Sequence, residues 1–179
     1  QLPTKLEFSK ELQFLEIVNF SKHRRMKHFI LKGSSCKKCG INCSRLIISK
    51  SDQGHEHIDL YDENLQVFLT MGHIIPKSAG GALGKNIRPL CNKCNVQEGS
   101  SFEHVLEDRD LFNKYCLGAI VKRKSGNKFQ NGKKCAEIID IFRSENDSKI
   151  YFVFEGGFTY EANKVIFTTN KALTQKAIT

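Results

Sequence analysis

No apolar run in this 179-residue chain is long enough to cross a bilayer. The first residues, QLPTKLEFSK, carry no apolar stretch of the kind a secretory signal needs. These two absences set the expectation of an intracellular chain without a membrane partner, whether cytoplasmic, nucleoid-associated or virus-encoded. No segment repeats and no tract is of low complexity. With 40% apolar and 26% charged residues, the composition is that of a globular protein. The length suits one compact domain, or a small core with an appended module. An even cysteine count is also missing. There are seven, which argues against a closed disulfide framework, and four of them sit in two CxxC pairs. In a chain without a secretion signal this pattern favours zinc in a reducing compartment.

What the chain has in excess is positive charge, net +9, and its placement is uneven. Residues 1–35 carry +4, residues 36–116 are neutral, and residues 117–179 carry +5. Basic flanks around a neutral middle suit a protein that grips a polyanion on either side of a reaction centre. Three segments follow: a basic helical N-terminal stretch (1–35), a central core (36–116) and a basic β-rich module (117–179).

Residues 4–31 read as helical. Thr4 and Glu7 form a potential capping box, and Phe8, Leu12, Leu15 and Val18 follow at helical spacing. Ser21 to His28 is a basic patch in which Arg24 and Arg25 are candidate phosphate contacts. Arg45 to Ser49 reads as a strand. His57 to Tyr61 and Leu65 to Thr70 read as the arms of a hairpin around Asp62–Asn64. A glycine-marked loop follows, a helix is expected from Asn92, and a further helical stretch reaches Tyr115 with Phe102, Val105, Leu106 and Phe112 on one side. Beyond Leu117, short β-like runs at 119–121, 136–142, 150–154 and 164–168 predict a small antiparallel sheet or SH3-like barrel. Residues 170–179 read as a disordered tail. The expected class is therefore α+β.

The chemistry is concentrated in the thirty residues from Met71 to Ser100, MGHIIPKSAGGALGKNIRPLCNKCNVQEGS. Cys36/Cys39 and Cys91/Cys94, with 51 residues between the pairs, offer four thiolates for a tetrahedral structural zinc. Cys43 is a rival ligand ranked below them, and Cys116 and Cys135 read as small buried hydrophobes. His55 and His57 could compete for metal but read mainly as loop residues.

Hydrolysis of a phosphodiester needs a base to activate water and a cation to neutralise the phosphate and leaving oxygen. It also needs a group to hold the base in its useful tautomer. His73, at the end of a strand and before a proline-ended, glycine-rich turn, is the candidate base. Asn95 offers a carbonyl oxygen suited to Mg²⁺ or Mn²⁺. Asn86 is placed to brace the loop, and Glu98 lies three residues after Asn95 on one helical face. Lys77, Arg88, Lys122, Arg123 and Lys124 are further candidates for phosphate contacts.

Over about Cys36–Gly99 these residues resemble HNH (ββα-metal, His-Me finger) nucleases, with His73, Asn86 and Asn95 filling the motif positions. The run Asn92-Lys-Cys94-Asn95-Val-Gln-Glu98-Gly is similar to the helix start of endonuclease VII-type junction resolvases, which also hold zinc with two CxxC pairs. The resemblance does not reach residues 117–179. It implies a zinc-stapled ββα-metal core and a metal-dependent endonuclease, of restriction, homing or phage type, acting on double-stranded DNA, with a homodimer possible.

Many relatives carry Asp before the base histidine as a metal ligand, whereas this chain has Gly72. Two readings follow. In the first, Asn95 alone holds the cation, an arrangement that resembles nonspecific ββα-metal nucleases with a Gly-His motif. In the second, catalysis is lost and a zinc-stabilised DNA-binding module remains. An RNA-directed role is the third alternative, raised by Phe129, Tyr151, Phe152, Phe154, Phe158 and Tyr160, which could stack on unpaired bases.

Overall fold

The computed structural model describes residues 29, 32–50, 52–54, 56–62, 64, 66–81 and 86–168. The expected N-terminal helix, with Arg24 and Arg25, and the C-terminal tail lie outside these residues. Two compact units divide the chain: residues 1–72 with 88–97, and residues 73–87 with 98–179. Among the described residues no helix is long and apolar enough to cross a membrane.

The first unit is built on a two-stranded antiparallel ribbon. Strands β1 (Arg45–Lys50) and β2 (Glu56–Tyr61) pair from Arg45 opposite Tyr61 to Lys50 opposite Glu56. This corrects the hairpin expected from the sequence. The partner of 57–61 is the preceding strand, not 65–70, and the link to the latter is a single bridge between Tyr61 and Phe68. The reason is local. The Asp62 carboxylate accepts the amides of Gln66 and Val67 at 2.6 and 3.3 Å, closing a turn too wide for a continuous ladder.

Strand β3 (Leu69–His73) pairs instead with β4 (Ile87–Cys91). The latter was not expected from the sequence, because Pro89 sits in its middle. The proline needs no donor there, and its carbonyl accepts the Lys37 amide at 2.9 Å. Helix α1 (Asn92–Glu98) opens directly after Cys91. Its first residue locks onto the chain before β3: the Asn92 amide donates to Phe68 O at 2.8 Å and its side-chain oxygen accepts the Phe68 amide at 3.2 Å. The order strand, loop, strand, helix is thus the ββα arrangement. Phe29, Leu60, Val67, Leu69 and Leu90 bury a small core beside the cysteines.

In the second unit, helices α2 (Glu103–Glu107) and α3 (Arg109–Tyr115) replace the single helical stretch expected from periodicity. Asp108 breaks it. Its backbone is extended and its carboxylate accepts the amides of Asp110 and Leu111, which makes it the N-cap of α3. Five strands follow: β5 (Ile120–Arg123), β6 (Cys135–Arg143), β7 (Ile150–Phe154), β8 (Thr159–Glu161) and β9 (Val165–Phe167). They form one antiparallel sheet in the order β8-β7-β6-β5-β9. A 3-10 turn at Ala162–Lys164 sends the chain back so that β9 pairs with β5. The short β8 was missed in the sequence because three residues give too little alternation to read.

This sheet does not form a core of its own. Phe152, Phe154, Phe167 and Ile138 pack in one buried cluster with Phe102, Val105 and Phe112 of the helical segment. Ile74, Ile75 and Ala79 of the loop after His73 belong to the same cluster. The C-terminal strands therefore support the loop that carries the candidate base.

Candidate functional site: a thiolate cluster and a clamped histidine

The sulfurs of Cys36, Cys39, Cys91 and Cys94 all lie within 4.8 Å of one another. Cys39 Sγ and Cys91 Sγ are 3.9 Å apart. A tetrahedral ion with zinc–sulfur bonds of about 2.3 Å separates its sulfurs by about 3.8 Å, so one zinc could gather the four with small side-chain movements. Each CxxC forms a knuckle in which the second cysteine's amide donates to the first one's sulfur, Cys39 to Cys36 at 3.5 Å and Cys94 to Cys91 at 3.4 Å. Burial works against ionising Cys36, yet the backbone amides of Cys39, Cys91 and Lys38 bring its pKa down to about 6. That thiol is prepared for metal. Cys43 is outside the cluster. Burial, with the negative charge of Asp62 and the nearby thiols, pushes it up to about 12, which keeps it a neutral thiol. Cys116 is buried as a small hydrophobe, whereas Cys135 is exposed, contrary to expectation, at the start of β6.

Within the same unit Asn95 is oriented by Thr70. The Thr70 hydroxyl donates its only proton to Leu90 O at 2.7 Å, so toward Asn95 it can only accept. The Asn95 amide nitrogen donates to it at 2.9 Å. The carbonyl oxygen is therefore the group Asn95 offers to an incoming ligand. Gly72 also has a structural reason. A Cβ there would lie 2.3 Å from Leu90 Cδ1 and 2.8 Å from its Cγ, and Leu90 is fully buried. The space that an aspartate side chain would need is filled by core.

His73 ends β3, half-buried, at the start of the second unit. Burial lowers its pKa, and the Lys77 ammonium lowers it further, so the imidazole is neutral at neutral pH. The backbone that follows is clamped on all four polar groups. Asn86 O accepts the Ile74 amide at 3.0 Å, and the Asn86 side chain pairs with both the amide and the carbonyl of Ile75 at 2.8 and 3.0 Å. The fourth bond comes from His104, whose Nε2 donates to Ile74 O at 2.6 Å. Asn86 is thus the loop brace expected from the sequence. Its fit depends on Gly81, where a Cβ would meet Ile75 O at 1.8 Å and Asn86 Nδ2 at 2.7 Å. Any side chain at 81 would push the brace out.

Glu98 is buried and sits 3.2 Å from His104 Nδ1. Since Ile74 O can only accept, His104 Nε2 carries a proton. Glu98 is therefore engaged in holding His104, which in turn holds the residue next to His73. His104 and Thr70 carry no signal in the sequence, and Gly81 reads there only as the mark of an irregular loop. Nothing in the sequence distinguishes a lone helical histidine or a strand threonine from ordinary residues.

Of the phosphate-contact candidates, Lys77, Lys122 and Lys124 are exposed, and Arg88 is half-buried on β4. Arg123 is already committed. Its Nε donates to Tyr160 Oη at 2.9 Å, its Nη1 to Lys128 O at 2.9 Å, and its guanidinium lies 4.8 Å from the Tyr160 ring centre.

These features define a ββα fold stapled by two cysteine knuckles, with a histidine on the first strand's end and an asparagine on the helix. Residues 36–101 match the family model of the HNH endonuclease, which marks this part of the chain as an HNH domain. No curated protein and no solved structure gives a significant match to the chain.

Proposed function

We propose that the chain is a metal-dependent HNH endonuclease that hydrolyses phosphodiester bonds of double-stranded DNA. His73 acts as general base: its neutral imidazole takes a proton from water, whose oxygen attacks phosphorus as the bond to the leaving oxygen breaks. A divalent cation, Mg²⁺ or Mn²⁺, held through the Asn95 carbonyl oxygen, would neutralise charge on the phosphate and leaving group. A zinc held by the four cysteines would be structural, because four thiolates leave no open position. The observation that carries this reading is His73 itself. It has a lowered pKa and sits on a backbone whose next four polar groups are all fixed, which is the pre-positioning a general base requires. The strand order of the C-terminal sheet, with its 3-10 turn before the last strand, supports reading 117–179 as an SH3-like barrel.

Zinc-loaded protein incubated with supercoiled plasmid and Mg²⁺ or Mn²⁺ is expected to nick or linearise it. His73→Ala should slow cleavage about 10²–10⁴-fold. Cleavage equal to wild type in this variant would remove His73 from the role. Binding without cleavage under any cation would instead favour the second reading, a zinc-stabilised DNA-binding module, for which the core-filled space beside Gly72 is the supporting observation.

The pH dependence follows from the sign of the His73 shift. Cleavage requires the neutral base, so the rate rises with pH through the His73 pKa and is level above it. Burial and Lys77 place that rise below the ordinary value of about 6.5. Lys77→Gln removes the repelling charge and should move the acid limb of the kcat profile upward. An unmoved limb would show that another group controls it.

A further inference from the structure

The hairpin connection between β5 and β6 is the most basic stretch of the described chain. Residues 122–134, KRKSGNKFQNGKK, hold six cations and no acid. The connection is long, yet it is built rather than slack. Its ends are joined by the Lys122–Cys135 pair of the ladder. Inside it, the Phe129 amide donates to Lys133 O at 2.8 Å, the Gly132 amide to Phe129 O at 2.9 Å, and the Lys133 amide to Asn131 Oδ1 at 3.0 Å. Phe129 is buried against Phe154, Phe158 and Tyr160. Arg123 spends its guanidinium on Tyr160 and Lys128 O, pinning the near side of the loop. A compact surface loop held by its own side chains is a common carrier of function.

The lysines of this loop differ from the other cations of the sheet. Arg143 pairs with Glu103, Arg109 with Asp140, and both Lys149 and Lys164 with Glu161. Lys122, Lys124, Lys128, Lys133 and Lys134 are exposed, and among the described residues none has an acidic partner within ion-pair distance. Five like charges are thus held together without compensation, which is unfavourable in the free protein and becomes favourable against a polyanion.

We infer that the β5–β6 loop is a docking surface for the phosphate backbone of double-stranded DNA, gripping the substrate away from the reacting phosphate. The identity of the polyanion rests on the nuclease reading. Duplex is favoured over single-stranded RNA because the module's rings are occupied with one another. Phe129, Phe152 and Phe154 are buried, Phe158 stacks on Phe154, Tyr151 stacks on Phe142, and Arg123 covers Tyr160. Little is left to stack on unpaired bases. Lysine ammonium groups suit phosphate oxygens as point charges and carry no base-reading geometry.

The test is a salt titration of binding by the full zinc-loaded chain, without added magnesium or manganese, to a short labelled duplex and to a single-stranded RNA of equal length. The Lys128→Gln, Lys133→Gln, Lys134→Gln triple variant should lower the slope of log K against log salt by about 2.7, near 0.9 per lost contact, with a melting temperature no lower than that of the wild type. Lys149→Gln with Lys164→Gln, cations already paired with Glu161, should leave the slope as it is. A wild-type slope in the triple variant overturns the loop's role even if plasmid cleavage is normal. A lowered slope in a chain that never cleaves keeps the docking surface and sinks the nuclease reading. Tighter binding of RNA than of duplex, lost in the triple variant, overturns the choice of partner, and no binding of either overturns both proposals.

Discussion

Cys91→Ser is expected to strip the chain of its zinc and melt the unit formed by residues 1–72 and 88–97. The sulfurs are spaced for a tetrahedral ion, and three of the four cysteines are buried. Among the described residues the apolar core of that unit is small: Phe29, Leu60, Val67, Leu69 and Leu90 around the cysteines. Small metal-stapled folds draw on the order of 10 kcal/mol from zinc binding, more than such a core supplies. Loss of one thiolate therefore removes most of the unit's stability. The measurement is zinc content by mass spectrometry beside thermal unfolding, with Cys43→Ala as the control that retains zinc, because its sulfur lies outside the four-sulfur cluster. Equal zinc content and equal melting in Cys91→Ser would show that the cluster does not bind the ion. The same physics gives a pH limit. Thiolates must lose protons to bind metal, so acidification should release the zinc.

His104→Leu should be the most damaging single change in the second unit. It leaves the Glu98 carboxylate buried without the imidazole nitrogen 3.2 Å away, and it leaves Ile74 O without its 2.6 Å donor. Breaking a buried pair by removing one partner costs about 3–5 kcal/mol. The double change Glu98→Leu with His104→Leu should recover a good part of that loss, since no unpaired charge remains. A double-mutant cycle read by chemical denaturation measures the coupling, and additive effects would overturn the pairing. In cleavage, the stable double variant is expected to lose kcat more than KM. The missing bond holds the residue after His73 and touches no substrate. A change confined to KM would argue against a positioning role.

These two sites illustrate what sequence could and could not show. The two CxxC pairs were readable because thiol ligands for one ion must come in close pairs, and CxxC is a local geometry that survives any fold around it. His73, Asn86 and Asn95 were readable for the same reason: each occupies a motif position fixed by a short run of neighbours. The partners that give them their roles are far apart in the chain. Thr70 is 25 residues from Asn95, and His104 is 30 from Ile74. Glu98 had one helical face in common with Asn95, which suggested a place near a cation, and its partner is instead a histidine on the next helix. Strand pairing was misread where the alternation was right but the neighbour was ambiguous. His57–Tyr61 has hydrophobic alternation that fits either flanking strand, and the Asp62 turn decides between them. β4 was hidden by Pro89, whose missing amide costs nothing at that place because its carbonyl does the bonding.

The sequence by itself determined the α+β class, the cysteine quartet, the positions of His73, Asn86 and Asn95, and the basic character of the C-terminal region. These are written in residue identity and short spacing. Only the tertiary structure decided that the C-terminal sheet shares its core with the loop behind His73. It alone showed that Leu90 fills the space beside Gly72, that Thr70 takes up the Asn95 amide nitrogen, and that His104, with Glu98 beside it, holds the Ile74 carbonyl. Each of these depends on packing and hydrogen bonds between segments remote in the chain. Hydrophobic burial is non-directional, so composition predicts that a core will form but not which segments will share it.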